Sequence, residues 1–202
     1  MVEVQKHGFT FEGWVKKILC ADKVNCKYTQ KWDVPGKIPI SIKCIGETNA
    51  LELSSAVRFW ENEKPFLLII GRWKQIEEIK KIVSIDEIFI DEIILKKLKG
   101  DLTLNELKDF NSRIISFYFG KEGQTEGINY ARKWKRENKH KIGMITITHK
   151  IDSKNQRRLQ CNINYKNYLK LFGKPFNKPI FRGNLFQEKI NSLSRKFNKD
   201  KL

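Results

Sequence analysis

Asp33, Ser41 and Lys43 are the residues of this chain whose types and spacing suit hydrolytic chemistry on a phosphodiester. Ser41 and Lys43 lie in a segment that alternates Ile40, Ile42, Cys44 against Pro39, Ser41, Lys43, the pattern of a half-buried strand. Residues i and i+2 of a strand point to one side, so Ser41 and Lys43 share a face. Asp33 closes the preceding segment, Tyr28 to Val34. The turn signal Pro35-Gly36 predicts a hairpin with Ile38 to Ile45 that brings its carboxylate opposite them. A divalent cation on a nucleic-acid phosphate needs hard oxygen ligands, and Mg²⁺ commonly takes only one or two carboxylates and keeps several waters. A lysine beside it orients attacking water and offsets charge on the transition state.

A second constellation lies far along the chain. The run from Asp152 to Gln160 combines Ser153 and Lys154, which suit phosphates, with Asn155, Gln156, Arg157, Arg158 and Gln160. Arg bonds bidentately to guanine and Asn or Gln to adenine, so these side chains suit base edges in a major groove. Upstream, the helical stretch Thr125 to Lys139 presents Arg132, Lys133, Lys135 and Arg136, a basic face suited to tracking phosphates.

These residues need elements to hold them. Phe11, Trp14, Val15, Ile18 and Leu19 repeat at helical spacing after Thr10, predicting a first helix over about residues 10–19. A second helix fits Ala50 to Glu61, with Leu51, Ala56, Val57 and Trp60 inward. Pro65 then restarts the chain into Phe66-Leu67-Leu68-Ile69-Ile70, a run of the kind covered on both faces and placed inside a sheet. Residues 74–118 read as helical with a short strand at Ile85 to Ile90. Gly143 to His149 is expected to be a strand, paired with Arg158 to Tyr165 across the polar turn at residues 152–156. The fold class expected is α/β, a mixed central sheet flanked by helices, with a C-terminal β-hairpin and basic part. It is read as a single domain over residues 1–202.

At the hairpin the chain resembles the PD-(D/E)xK nucleases, particularly type II restriction endonucleases. The matching residues are Trp32-Asp33-Val34-Pro35 and Pro39-Ile40-Ser41-Ile42-Lys43, behind a helix carrying Glu12 and ahead of the helix and buried strand just described. The resemblance covers roughly residues 8–73, which it marks as the catalytic core of a restriction-endonuclease-like fold, with DNA recognition at about 125–190. It implies Asp33 as a metal ligand, Lys43 as the catalytic lysine, and Glu12 as an accessory ligand or water-orienting acid. Ser41 stands where the family usually shows Asp or Glu, which leaves the site one carboxylate short. Glu52, near the start of the second helix, is the natural substitute, Glu12 the other, and Glu47 in the connecting loop a third. The cofactor so implied is Mg²⁺.

Charge supports a polyanionic partner. The chain of 202 residues carries 40 Lys+Arg against 23 Asp+Glu, a net of +17. Residues 151–202 hold 13 of those bases and 3 of the acids, interleaved with Tyr165, Tyr168, Phe172, Phe176, Phe181 and Phe186, so that part is expected to fold. A hydrophobic content of 40% excludes a disordered basic tail for the whole chain. No apolar run is long enough to span a bilayer, and no signal peptide opens the chain. Cys20, Cys26, Cys44 and Cys161 lack zinc-ligand spacing, so they read as small hydrophobes in a reducing cytoplasm. The function expected is Mg²⁺-dependent, sequence-specific cleavage of double-stranded DNA. A homodimer would match palindromic sites. Two rivals stand beside it: a structure-specific repair or junction nuclease of the same superfamily, and a DNA-binding protein without catalysis.

Overall fold

The computed structural model describes residues 3–19, 31–76, 79–174 and 195–196. It is a mixed α/β structure whose strands divide between two sheets, not the single central sheet expected. The chain forms two compact units, one from Met1–Asn49, Pro65–Ile90 and Tyr168–Leu202, the other from Ala50–Lys64 and Asp91–Asn167. Residues 50–64, inside the segment marked as a catalytic core, therefore belong to the second unit.

The first unit holds α1 (Glu3–Ile18), β1 (Ile40–Gly46), β3 (Phe66–Ile76), β4 (Ile79–Ile90) and the short β7 (Arg195–Lys196). Its sheet runs β1-β3-β4-β7, with β1 parallel to β3 and the other pairs antiparallel. Phe66 to Ile70 are all buried and β3 is internal, as their unbroken apolar run predicts. One face of the sheet carries Ile42, Leu67, Ile69 and Ile85 against Phe11 and Val15 of α1. Gly71 makes that contact possible, since a Cβ there would lie 2.6 Å from the Phe11 ring. The helix begins at Glu3, so Thr10 sits within it and is not its cap.

The strand expected at Ile85 to Ile90 is present as the end of β4, but the helical character expected of residues 74–76 and 79–84 is wrong. They complete a long hairpin in which Lys74 pairs with Lys81 and Gln75 with Lys80. Their charged side chains are good helix formers, but cross-strand pairing sets the local conformation and overrides that preference.

In the second unit, the expected helix from Ala50 to Glu61 is two elements: β2 (Leu51–Ser55) and α2 (Ala56–Trp60). Leu51 and Leu53 are buried and Glu52 is exposed, the period of a strand. Ser55 ends the strand and caps the helix, its side chain accepting from the Arg58 amide at 3.4 Å. Then come α3 (Glu92–Lys99), α4 (Leu104–Ser116), α5 (Lys121–Glu137), β5 (Thr146–Ile151), β6 (Arg157–Ile163) and the start of α6 (Tyr165–Phe172), which belongs to the first unit from Tyr168 onward. The sheet order is β2-β6-β5, and the β5–β6 hairpin turns at residues 152–156 as expected. Phe110 of α4 stacks on Trp134 of α5 at 3.9 Å between centroids. A reciprocal box between Thr103 and Glu106 caps α4.

Tyr165, Tyr168 and Phe172 fall on α6, while Phe176, Phe181 and Phe186, with Cys20 and Cys26, lie outside the described residues. Burial pushes the thiols of Cys44 and Cys161 up to about 12. Both therefore behave as packing groups and not as nucleophiles. Among the described residues no helix is long and apolar enough to cross a membrane.

Candidate active site and reading hairpin

Asp33 is held where the alternation of β1 requires. The Trp32 ring packs on Phe66 at 4.9 Å between centroids, fixing the segment to the start of β3. The expected hairpin reduces, among the described residues, to a bridge between Val34 and Ile40, with the Asp33 amide donating to the Ile40 carbonyl at 3.1 Å. The carboxylate then turns onto β1: Oδ2 accepts the Ile42 amide at 2.6 Å and the Ser41 hydroxyl at 3.3 Å. Lys43 Nζ lies 3.8 Å from the same oxygen, and both side chains are 26% exposed. Ile42 faces α1, so Ser41 and Lys43 point to the opposite face of the sheet. One carboxylate, one hydroxyl and one ammonium thus converge at the edge strand of the sheet.

The acids proposed to complete the site are placed differently. Glu12 is on α1, ion-paired with Lys16 at 2.5 Å. Glu47 is in the loop after β1, where its backbone amide donates to the Trp73 carbonyl at 2.9 Å. Glu52 is a strand residue of the second unit, exposed and 3.8 Å from Lys150. Its expected place near a helix start is corrected, because Leu51 and Leu53 bury alternate positions and turn Glu52 outward. Among the described residues no group of three His, Cys, Asp or Glu is arranged to hold a metal. The donors at Asp33 and Ser41 still fit Mg²⁺, which binds through one or two carboxylates with water and substrate phosphate completing its shell.

In the second unit the turn between β5 and β6 is rigidly built. Asp152 Oδ1 accepts the amides of Lys154, Asn155 and Gln156 at 2.8, 2.8 and 2.9 Å. These bonds hold its carboxyl below the usual carboxylate range. Lys154, Asn155, Gln156 and Arg158 are exposed, whereas Gln160 is half-buried with its Oε1 enclosed. Arg157 departs from the expected role. It is 8% exposed, donates to the carbonyls of Asp152, Gln156 and Tyr118, and lies over the Phe119 ring at 4.8 Å. Alternation turns Arg157 inward, since Leu159, Cys161 and Ile163 on the same face are buried. We predict that Arg157→Ala lowers stability by about 2 kcal/mol or more, because carbonyls lose charged donors in a buried setting. Chemical unfolding checks this, and a variant as stable as wild type would overturn the structural role of Arg157.

On α5, Arg132, Lys133 and Arg136 are exposed, and Lys135 is half-buried. Burial, then the charges of Lys135 and Arg132, hold His149 below its ordinary pKa. The basic face is therefore three exposed cations with an inner fourth beside β5. Sequence reasoning did not single out Tyr118 and Phe119, two exposed aromatics after α4. The adjacent aromatic pair before Gly120 was the available signal.

No protein-family model, no curated protein and no solved structure matches this chain. Its function is argued from its own residues.

Proposed function

We propose that the protein is a Mg²⁺-dependent endodeoxyribonuclease that hydrolyses double-stranded DNA at short sequences, as type II restriction enzymes do. The observation that carries this reading is the Asp33 carboxylate, fixed by the Ile42 amide at 2.6 Å and set 3.8 Å from Lys43 Nζ. A turn aspartate without chemistry has no need of a lysine two strand positions past its hydroxyl partner. Asp33 and Lys43, which the resemblance implies as metal ligand and catalytic lysine, lie together beside Ser41, which stands where the family usually has an acid. Asp33 would hold the cation, with Ser41 keeping its carboxylate oriented. The Mg²⁺ ion would supply charge neutralisation at the phosphate. Lys43 would orient the attacking water and offset charge on the transition state. Glu12, in the same unit as Asp33, stays in the proposal as an acid that could complete the site after release from Lys16.

The exposed Lys154, Asn155, Gln156 and Arg158 would read the DNA, and Arg132, Lys133, Lys135 and Arg136 would contact phosphates. A homodimer in the cytoplasm would match the two-fold symmetry of a palindromic site. The deciding experiment is digestion of plasmid DNA with Mg²⁺, with Ca²⁺ and with neither. Discrete bands in Mg²⁺ alone are expected. A smear would favour the structure-specific nuclease, and intact DNA in every lane would leave a DNA-binding protein and overturn the proposal.

A further inference from the structure

Phe119 is 56% exposed, yet its mounting is rigid. The chain at residues 118–120 is tied to the β5–β6 turn by two bonds: the Tyr118 carbonyl accepts from Arg157 at 2.8 Å, and the Gly120 amide donates to Ser153 at 3.0 Å. From the other side α5 presses on the same peptide. A Cβ at Gly123 would lie 2.1 Å from the Tyr118 carbonyl oxygen, so only glycine permits that approach. The Arg157 guanidinium sits against the Phe119 ring at 4.8 Å, and its Nη1 donates to the Asp152 and Gln156 carbonyls of the turn.

Tyr118 belongs elsewhere, since its hydroxyl donates to Glu122 at 3.0 Å and Glu126 adds to the acidity around it. Of the two exposed rings, Phe119 lies against Arg157, at the end of the turn that exposes Lys154, Asn155 and Gln156. An apolar ring that the fold holds in water beside cations and amides has the chemistry of a base-stacking surface.

We propose that Phe119 is a stacking wedge for nucleic acid: its ring packs on an unstacked base while Lys154, on the turn to which the Phe119 segment is tied, holds the adjoining phosphate. The wedge rests on DNA being the partner, and not on the chemistry at Asp33. Cationic neighbours on a protein of net charge +17 favour nucleic acid over an apolar protein partner at this ring. Stacking asks a base to leave its neighbours, which costs least where a base is mismatched.

The test is equilibrium binding in Ca²⁺ of wild type, Phe119→Ala and Phe119→Trp to a fully paired duplex and to the same duplex with one mismatch. Wild type should prefer the mismatched duplex. Phe119→Ala should bind it about tenfold more weakly with the same dependence on salt, because a base–aromatic stack is lost and phosphate contacts are not. Phe119→Trp should restore the preference. If Phe119→Ala binds both duplexes as wild type does, the wedge is overturned and the DNA reading stands. A change of sedimentation mass in Phe119→Ala without a change in DNA binding would also overturn it, showing that the ring docks another copy of the chain. If wild type binds neither duplex, the proposed function and the wedge fall together.

Discussion

Lys43→Ala and Asp33→Asn are each expected to slow Mg²⁺-dependent DNA cleavage by about 10²-fold or more, the scale of losing a group that stabilises transition-state charge. Asp33→Asn is the informative change because an amide oxygen can still accept the Ile42 N–H, which Asp33 now receives at 2.6 Å. The fold of the segment is kept and the charge is removed. Ser41→Ala should cost little, since the Ser41 hydroxyl is the longer partner at 3.3 Å and Ile42 carries the orientation. Lys43→Ala should still bind duplex DNA in Ca²⁺. Glu12→Gln completes the set, and a loss of cleavage there identifies Glu12 as the acid that joins the site. Cutting near the wild-type rate by Lys43→Ala or Asp33→Asn would remove the active-site assignment.

The core of this site was legible because strand alternation is a short-range rule. Ile40, Ile42 and Cys44 had to share a face, so Ser41 and Lys43 had to share the other. The buried run Phe66 to Ile70 and the turn at residues 152–156 were legible for the same reason. What failed needed information from distant chain. Leu51 to Ser55 is a strand because it pairs with β6, more than a hundred residues later. A nearer pairing was missed too: residues 74–76 are strand because they pair with 79–81, and Ile82 and Ser84 pair with Trp73 and Arg72, while the lysines carry no strand preference of their own. Arg157 read as a DNA contact because its neighbours are polar. Its inward turn follows from register with the buried face of β6, which composition cannot convey. The division into two units was hidden as well, since residues 50–64 leave the first unit and return without a linker of recognisable composition.

Asp86→Ala is expected to lower stability by about 3–5 kcal/mol, the cost of removing one partner from a buried ion pair. The residue invites another reading. Lys43 pairs with Ile70, and Ile70 with Asp86, so Lys43 and Asp86 lie in one row on one face of the first sheet. Among the described strands of that sheet, Asp86 is the carboxylate on the Lys43 face, and the resemblance leaves the proposed site one carboxylate short. Its surroundings argue for a structural duty. Asp86 Oδ2 accepts the Tyr168 hydroxyl at 3.0 Å and lies 3.5 Å from Arg72 Nε. Arg72 is 1% exposed and Asp86 5%. The guanidinium also sits over the Tyr168 ring at 4.3 Å and donates to the Glu47 carbonyl at 2.9 Å. Burial, then the Asp86 charge, raises the Tyr168 phenol above its ordinary pKa, so it stays a donor. The carboxylate therefore neutralises a cation that water does not reach, and within the first unit it holds the Tyr168 hydroxyl. Replacing the pair together, Asp86→Leu with Arg72→Met, should destabilise less than Asp86→Ala alone, because no charge is left buried. Urea unfolding of the single and double variants measures the difference. If Asp86→Asn instead keeps wild-type stability and loses Mg²⁺-dependent cleavage, the row across Ile70 is functional and Asp86 is the missing acid.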